Sequence, residues 1–169
     1  MVDTRRTMSF DVSSVATGWS VLTLSGAGSK ATLIDFGVVR IPSELDLQSK
    51  LVWFKHHVSG LLLVYKPDDI VIEETYLKNV KTLKTLTQFI GVLHLLCGEL
   101  LGLTPCFVSP NTVRSYYKLA TKEDAFDYVR NNYKVKLKNL TFEDGNDITD
   151  SILQGLYWIY EGRYKEKKK

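Results

Sequence analysis

Thr7-Met8-Ser9-Phe10-Asp11-Val12, followed across Ser13-Ser14-Val15-Ala16 by Thr17-Gly18-Trp19-Ser20-Val21-Leu22-Thr23-Leu24, is the stretch on which the fold turns. Apolar and small polar residues alternate through both runs with the period of a strand. The spacing predicts two strands joined by a tight turn, with Asp11 near the C-terminal end of the first. Gly26-Ala27-Gly28 then interrupts the chain before a third alternating run, Ala31 to Val39. Short strands separated by turn residues suggest an antiparallel meander.

Outward from that meander the pattern changes to helices and buried strands. Pro42-Ser43-Glu44 opens a helical stretch to about Gly60. Ile70-Val71-Ile72-Glu73-Glu74 is a compact strand suited to the middle of a sheet. A helix with a 3.6-residue period is predicted from about Asn79 to Gly98, then a short strand, Pro105 to Val108. Ser109, Asn111 or Thr112 is a candidate cap for a helix starting near Val113. Lys122 to Asn132 reads as another helix, Tyr133 to Leu140 as a basic connection, and the chain from Asp147 as a last helix. Strands that alternate with helices after an antiparallel start predict an α/β fold, a mixed five-stranded sheet flanked by helices.

The chain has 169 residues, 44% hydrophobic and 24% charged, enough for one self-sufficient domain. No apolar run approaches the roughly 20 residues needed to span a bilayer, and no secretory pattern opens the sequence. A cytoplasmic protein without membrane attachment is expected. Cys97 and Cys106 have apolar neighbours and read as reduced core residues. His56 and His57 are adjacent, cannot share a helix face, and read as surface or packing residues. The net charge of +3 resides in residues 161 to 169, where Arg163, Lys165, Lys167, Lys168 and Lys169 outnumber Glu161 and Glu166. Within the neutral remainder, the basic stretch from Arg114 to Lys138 precedes the acidic run Glu143, Asp144, Asp147 and Asp150, a pattern compatible with a metal site beside a polyanion.

If the first and fourth strands are neighbours, Asp11 and Glu73 end in the same region. Asp147 and Asp150 are three residues apart and share one helix face. Four converging carboxylates repel one another, and two divalent cations about 4 Å apart would compensate them. Magnesium suits such oxygen ligands, and phosphodiester hydrolysis is the chemistry this pattern supports. Each acid alone also has a bland reading: Asp147 as a helix N-cap, Asp150 as a first-turn charge, Asp11 as a turn former. Glu73 and Glu74 point to opposite faces of a strand, which favours Glu73 as the ligand, and a slip at the strand end would exchange them.

Phe10-Asp11-Val12-Ser13-Ser14 with Thr17-Gly18-Trp19-Ser20-Val21 resembles the opening of the RuvC-like Holliday junction resolvases. Val71-Ile72-Glu73-Glu74-Thr75-Tyr76 resembles their second motif and Asp147-Ile148-Thr149-Asp150-Ser151-Ile152 their terminal DxxD helix. The resemblance covers nearly the whole chain. It implies a ribonuclease-H-like fold, a single nuclease domain over residues 1–169 with a flexible N-terminus and a basic C-terminal tail, a homodimer, and paired metal-dependent nicks in four-way or branched DNA. It further implies Mg²⁺, two ions per site with Mn²⁺ able to substitute, held by Asp11, Glu73, Asp147 and Asp150 as the catalytic carboxylates. Lys122 matches a catalytic-site basic residue, Tyr76 an aromatic that meets bases at the junction centre, and Arg114 a DNA contact; Lys118 joins it as a DNA-binding candidate. Departures are Val12-Ser13-Ser14 in place of a Pro-Gly continuation and Glu74 in place of glutamine. These departures and the lysine-rich tail look like divergent resolvases of bacteriophages, which would act in the host bacterial cytoplasm.

Lys78, Lys81 and Lys84 follow the second motif and form a candidate phosphate-facing rail, the competing reading being a solvated helix face. Two other functions remain open at this stage. One is a nuclease for RNA–DNA hybrids, the other a branched-DNA-binding protein with weak or absent catalysis.

Overall fold

The computed structural model describes residues 5–24, 30–75 and 79–162. Three strands open the fold: β1 (Arg6–Asp11), β2 (Ala16–Thr23) and β3 (Thr32–Arg40). The helix α1 (Leu47–Tyr65) leads to β4 (Asp69–Glu73), α2 (Val80–Leu101) and β5 (Cys106–Val108). The helices α3 (Pro110–Tyr117), α4 (Lys122–Asn132), the single turn α5 (Lys134–Leu137) and α6 (Phe142–Tyr157) complete it, α6 widening into a π-helical turn, Trp158–Gly162.

The sheet order is β3-β2-β1-β4-β5. β1, β2 and β3 form the expected antiparallel meander, and β4 and β5 join it in parallel to β1. Strand alternation decides which side chains meet which layer. Met8, Phe10, Val21, Ile70 and Ile72 pack with Phe54, Leu62, Phe89 and Leu93 of α1 and α2. Phe54 and Phe89 meet edge to face at 5.3 Å and 77°. On the opposite face, Leu22 and Val71 pack with Ile152, Leu153 and Leu156 of α6 and Val129 of α4.

Several boundaries differ from the sequence reading. α1 begins at Leu47 instead of Pro42 because the Asp46 carboxylate accepts the Ser49 amide hydrogen at 2.7 Å and caps it there. It runs through Gly60 to a left-handed Lys66 just before Pro67, so the apolar run Leu61–Tyr65 is helical. α3 starts at Pro110, which needs no hydrogen-bond acceptor in a first turn. α6 starts five residues ahead of Asp147: Thr141 accepts from the Asp144 amide, so Asp147 is an interior helical residue and not an N-cap. The connection after Tyr133 contains the short helix α5. Lys122–Asn132 is helical as expected, with Thr121 and Asp124 forming a capping box.

Cys97 is buried and Cys106 partly buried, both free thiols. The His57 ring stacks on Trp53, 4.5 Å between centroids, on the exposed side of α1, in keeping with a packing role. Among the described residues, no helix is long and apolar enough to cross a membrane. The N-terminal residues 1–4, Tyr76, Lys78 and the tail 163–169 lie outside the described residues.

Candidate active site

Parallel register sets the first two acids side by side. Ser9 pairs with Val71 and Phe10 with Ile72, so the next step along both strands brings Asp11 level with Glu73. Both share the parity of Ser9 and Val71 and therefore face α6. Glu74 has the opposite parity, and its amide hydrogen bonds to the Val108 carbonyl oxygen at 2.9 Å.

α6 lies close to the sheet because small residues floor its path. Gly18 pairs with Asp11, and the backbone carbonyl of Asp147 rests where a Gly18 Cβ would be. Two pairs back along the strands, on the same face, Ser9 and Ser20 share an Oγ···Oγ hydrogen bond of 2.8 Å, and the Ser9 hydroxyl is 2.6 Å from the Ser151 carbonyl oxygen. At Gly155 a methyl group would meet Leu22 and Ser9. These contacts seat α6 with Asp147, Asp150 and Gln154 turned toward β1 and β4.

The electrostatics show the four acids acting on one another. Burial, then the charges of Glu73, Asp150 and Asp147, push the Asp11 carboxyl well above the ordinary carboxylate range, with Lys122 opposing. Burial and the neighbouring Asp150 push Glu73 up to about 7, against the pull of Lys122, Arg114 and a hydrogen bond from Gln154. Asp150 is raised by burial although Lys122 and Arg114 counter it. Asp147 is raised by burial and by Asp150, with Lys122 and Arg40 opposing. The Lys122 Nζ lies 3.2 Å from Asp150 Oδ2. Partial burial works against the Lys122 ammonium, yet the acids around it raise its pKa and keep it protonated.

The donor set fits a hard divalent cation: four oxygen acids, no sulfur or imidazole, and a shared electrostatic cost that positive charge relieves. Among the described residues no three acids already stand around one point at ligating distance. Asp150 is turned to Lys122, and Glu73 accepts a 2.7 Å hydrogen bond from Gln154.

The raised carboxyl groups predict an unusual pH response. Between the ordinary 4.5 and about 7, the folded chain holds the Glu73 proton more tightly than the unfolded chain does. That contribution is complete below about pH 4.5 and disappears as pH rises through about 7, up to about 3 kcal/mol for Glu73. Urea unfolding in chelator should show this component falling between about pH 5 and 7, and Mg²⁺ should reverse the loss at the upper end. A stability component that is flat over that interval, with no response to Mg²⁺, would contradict the site's electrostatics.

Of the other residues singled out from sequence, Arg114 acts electrostatically on Glu73 and Asp150 while its guanidinium reaches Asn111 at 3.1 Å. Lys81 and Lys84 are exposed on the first turns of α2, beyond the β4 end that carries Glu73. Lys118 is the left-handed cap of α3 and is not among the cations acting on the acids. Sequence reasoning missed Arg40, Gln154 and the role of Gly18 as a floor for α6. Arg40 pairs in register with Ala16 at the end of β3, a position the expected strand stopped one residue short of.

Comparison with known proteins matches residues 7–114 to the family model for crossover junction endodeoxyribonuclease RuvC. The RuvC of Dictyoglomus thermophilum is 31% identical over 157 residues, covering 90% of this chain and 94% of that protein. In fold, the chain is similar to a Thermus thermophilus RuvC solved in complex with Holliday junction substrate: TM-score 0.78, 17% identity, 94% of this chain and 96% of that one. It is also similar to the yeast mitochondrial Holliday junction resolvase Ydc2: TM-score 0.68, 15% identity, 99% and 86% coverage. The shared fold is the expected ribonuclease-H-like sheet with its flanking helices.

Proposed function

Because the chain belongs to the crossover junction endodeoxyribonuclease RuvC family, we propose that it resolves Holliday junctions through Asp11, Glu73, Asp147 and Asp150. It is a structure-selective endonuclease of that family. The observation that carries the site assignment is α6 laid across β1 and β4, where Asp11 feels the charges of the other three acids and all four stand raised beside one lysine.

In this reading the four carboxylates hold Mg²⁺, two ions per site, and Mn²⁺ substitutes. When bound there, divalent cations supply the positive charge that ionises a water and stabilises a five-coordinate phosphorus. Asp11 and Glu73, on adjacent strands, fix the floor of the site, and Asp147 and Asp150 close it from α6. Lys122 stays an ammonium, so it serves as a charge and hydrogen-bond donor toward the phosphate or the leaving oxygen and not as a base. Arg114, Lys118, Lys81 and Lys84, with Lys78, supply the contacts along the DNA arms, where phosphate-directed lysines give affinity without sequence preference, and Tyr76 meets bases at the junction centre.

The whole chain, residues 1–169, acts as one nuclease domain in the cytoplasm and works as a homodimer, which would present two sites to opposite strands of a junction. Support for a partner face comes from the outer side of α2 and β5, where Leu95 is 60% exposed and Phe107 lies open beside His94.

The test is cleavage of matched four-way, forked, linear-duplex and RNA–DNA hybrid substrates in Mg²⁺ or chelator. Symmetric nicks confined to the four-way substrate and abolished by chelator are expected. Equal cutting of hybrid would favour the general ribonuclease-H chemistry, and tight junction binding without nicks would make the chain a binding protein.

A further inference from the structure

Gln154 is a polar residue in a place where the fold asks for none. It is 2% exposed and sits four residues after Asp150 and seven after Asp147, on the same face of α6. Leu153 and Leu156 beside it are buried in the apolar core. Its Nε2 donates to Glu73 Oε2 at 2.7 Å, a hydrogen bond to a charged acceptor. Its Oε1 is buried with no hydrogen-bond partner among the described residues. A methionine would fill the same volume without stranding an acceptor. Turned over, the amide would give up the hydrogen bond it now donates to Glu73 Oε2. Retaining glutamine here is therefore costly for packing and useful only toward Glu73.

Lys122 and Arg114 also face this acid, and both subtract from its negative charge. An uncharged amide differs in kind: it fixes the orientation of the carboxylate while leaving its full charge available to a cation. Glu73 is the last residue of β4, its backbone paired with Val108 of β5, and among the described residues the hydrogen bond from Gln154 is what holds its carboxyl group.

We propose that Gln154 is a positioning residue, holding Glu73 Oε2 so that the second carboxylate oxygen is directed at the divalent cation. This rests on the metal-site reading above and adds to it a requirement in the layer behind the ligands.

The test uses the full-length Gln154→Met protein, with wild type and Glu73→Gln alongside. Calorimetric titration with Mn²⁺ alone should show affinity weakened about tenfold in Gln154→Met, the low end of losses on removing a partner behind a metal ligand. The Mg²⁺ concentration for half-maximal junction nicking should rise by a similar factor, while the rate at saturating Mg²⁺ and junction affinity in chelator stay near wild type. Wild-type Mn²⁺ affinity and Mg²⁺ half-saturation in Gln154→Met, with both lost in Glu73→Gln, would overturn the positioning role alone. Wild-type Mn²⁺ affinity in Glu73→Gln as well would overturn the metal-site reading and this role with it. If Gln154→Met does not fold, Gln154→Asn, which keeps the amide but draws it back from Glu73, should show the same rise in half-saturating Mg²⁺, and an unchanged value there overturns the proposal.

Discussion

Glu73→Gln and Asp147→Asn should each bind a four-way junction in chelator as wild type does, and nick it in Mg²⁺ at least about a thousandfold more slowly, a loss of about 4 kcal/mol of transition-state stabilisation. Both substitutions are nearly isosteric, so the seat of α6 over Gly18 and the Ser9–Ser20 pair is unaffected. What changes is charge in a site where charge is already expensive. The carboxyl groups of Asp11, Glu73, Asp147 and Asp150 are all raised. Glu73 and Asp147 both push the Asp11 carboxyl up, so neutralising either relieves it, and the cation-free variant should be more stable than wild type at neutral pH. The same variant should lose most of the stabilisation that Mg²⁺ gives the wild type. A protein that becomes more stable as it becomes inactive is hard to explain by misfolding, so the pair of measurements separates a ligand from a structural acid. Near-normal nicking by either pure variant would remove that residue from the site.

The parts of this site that follow strand parity were legible in the sequence, because parity is a local property. Asp11 and Glu73 sit at the ends of runs whose alternation can be counted, and a parallel β1–β4 pair then brings them level. Asp147 and Asp150 share a helix face whichever residue starts the helix, so their pairing survived an error of five residues in where α6 begins. That error has a plain cause: Gly145-Asn146 looks like a helix stop, and Thr141 with Asp144 is recognised as a cap only once the helix is known to run through the glycine. Arg40 and Gln154 were hidden for a different reason. Their meaning depends on which distant residue they act on, Asp147 through charge in one case and Glu73 through a hydrogen bond in the other. The Thr17-Gly18 pair was noticed as a motif, but the need for glycine there came only from the helix packed over it.

Gly18→Ala should therefore disable the protein without touching any acid. At Gly37, an added Cβ would first meet the Trp19 ring, 2.9 Å away, and at Gly155 the side chains of Leu22 and Ser9. Side chains can give way. At Gly18 it would meet the backbone carbonyl and carbonyl carbon of Asp147, which belong to the helix itself and cannot rotate aside. The whole helix has to lift from β2, which breaks the contact between Ser9 and the Ser151 carbonyl and moves Asp147 and Asp150 away from Asp11 and Glu73. The expected cost is about 3 kcal/mol, the upper end for forcing a methyl group into a packed interior, against about 1 kcal/mol for Gly155→Ala. Urea unfolding measures that difference. Nicking should fall by about two orders of magnitude even under conditions where Gly18→Ala is fully folded, because a displacement of about 1 Å is enough to spoil a reacting geometry. A folded Gly18→Ala protein with wild-type stability and wild-type nicking would mean that α6 is not held at the distance this contact implies, and the convergence of the four acids would need another cause.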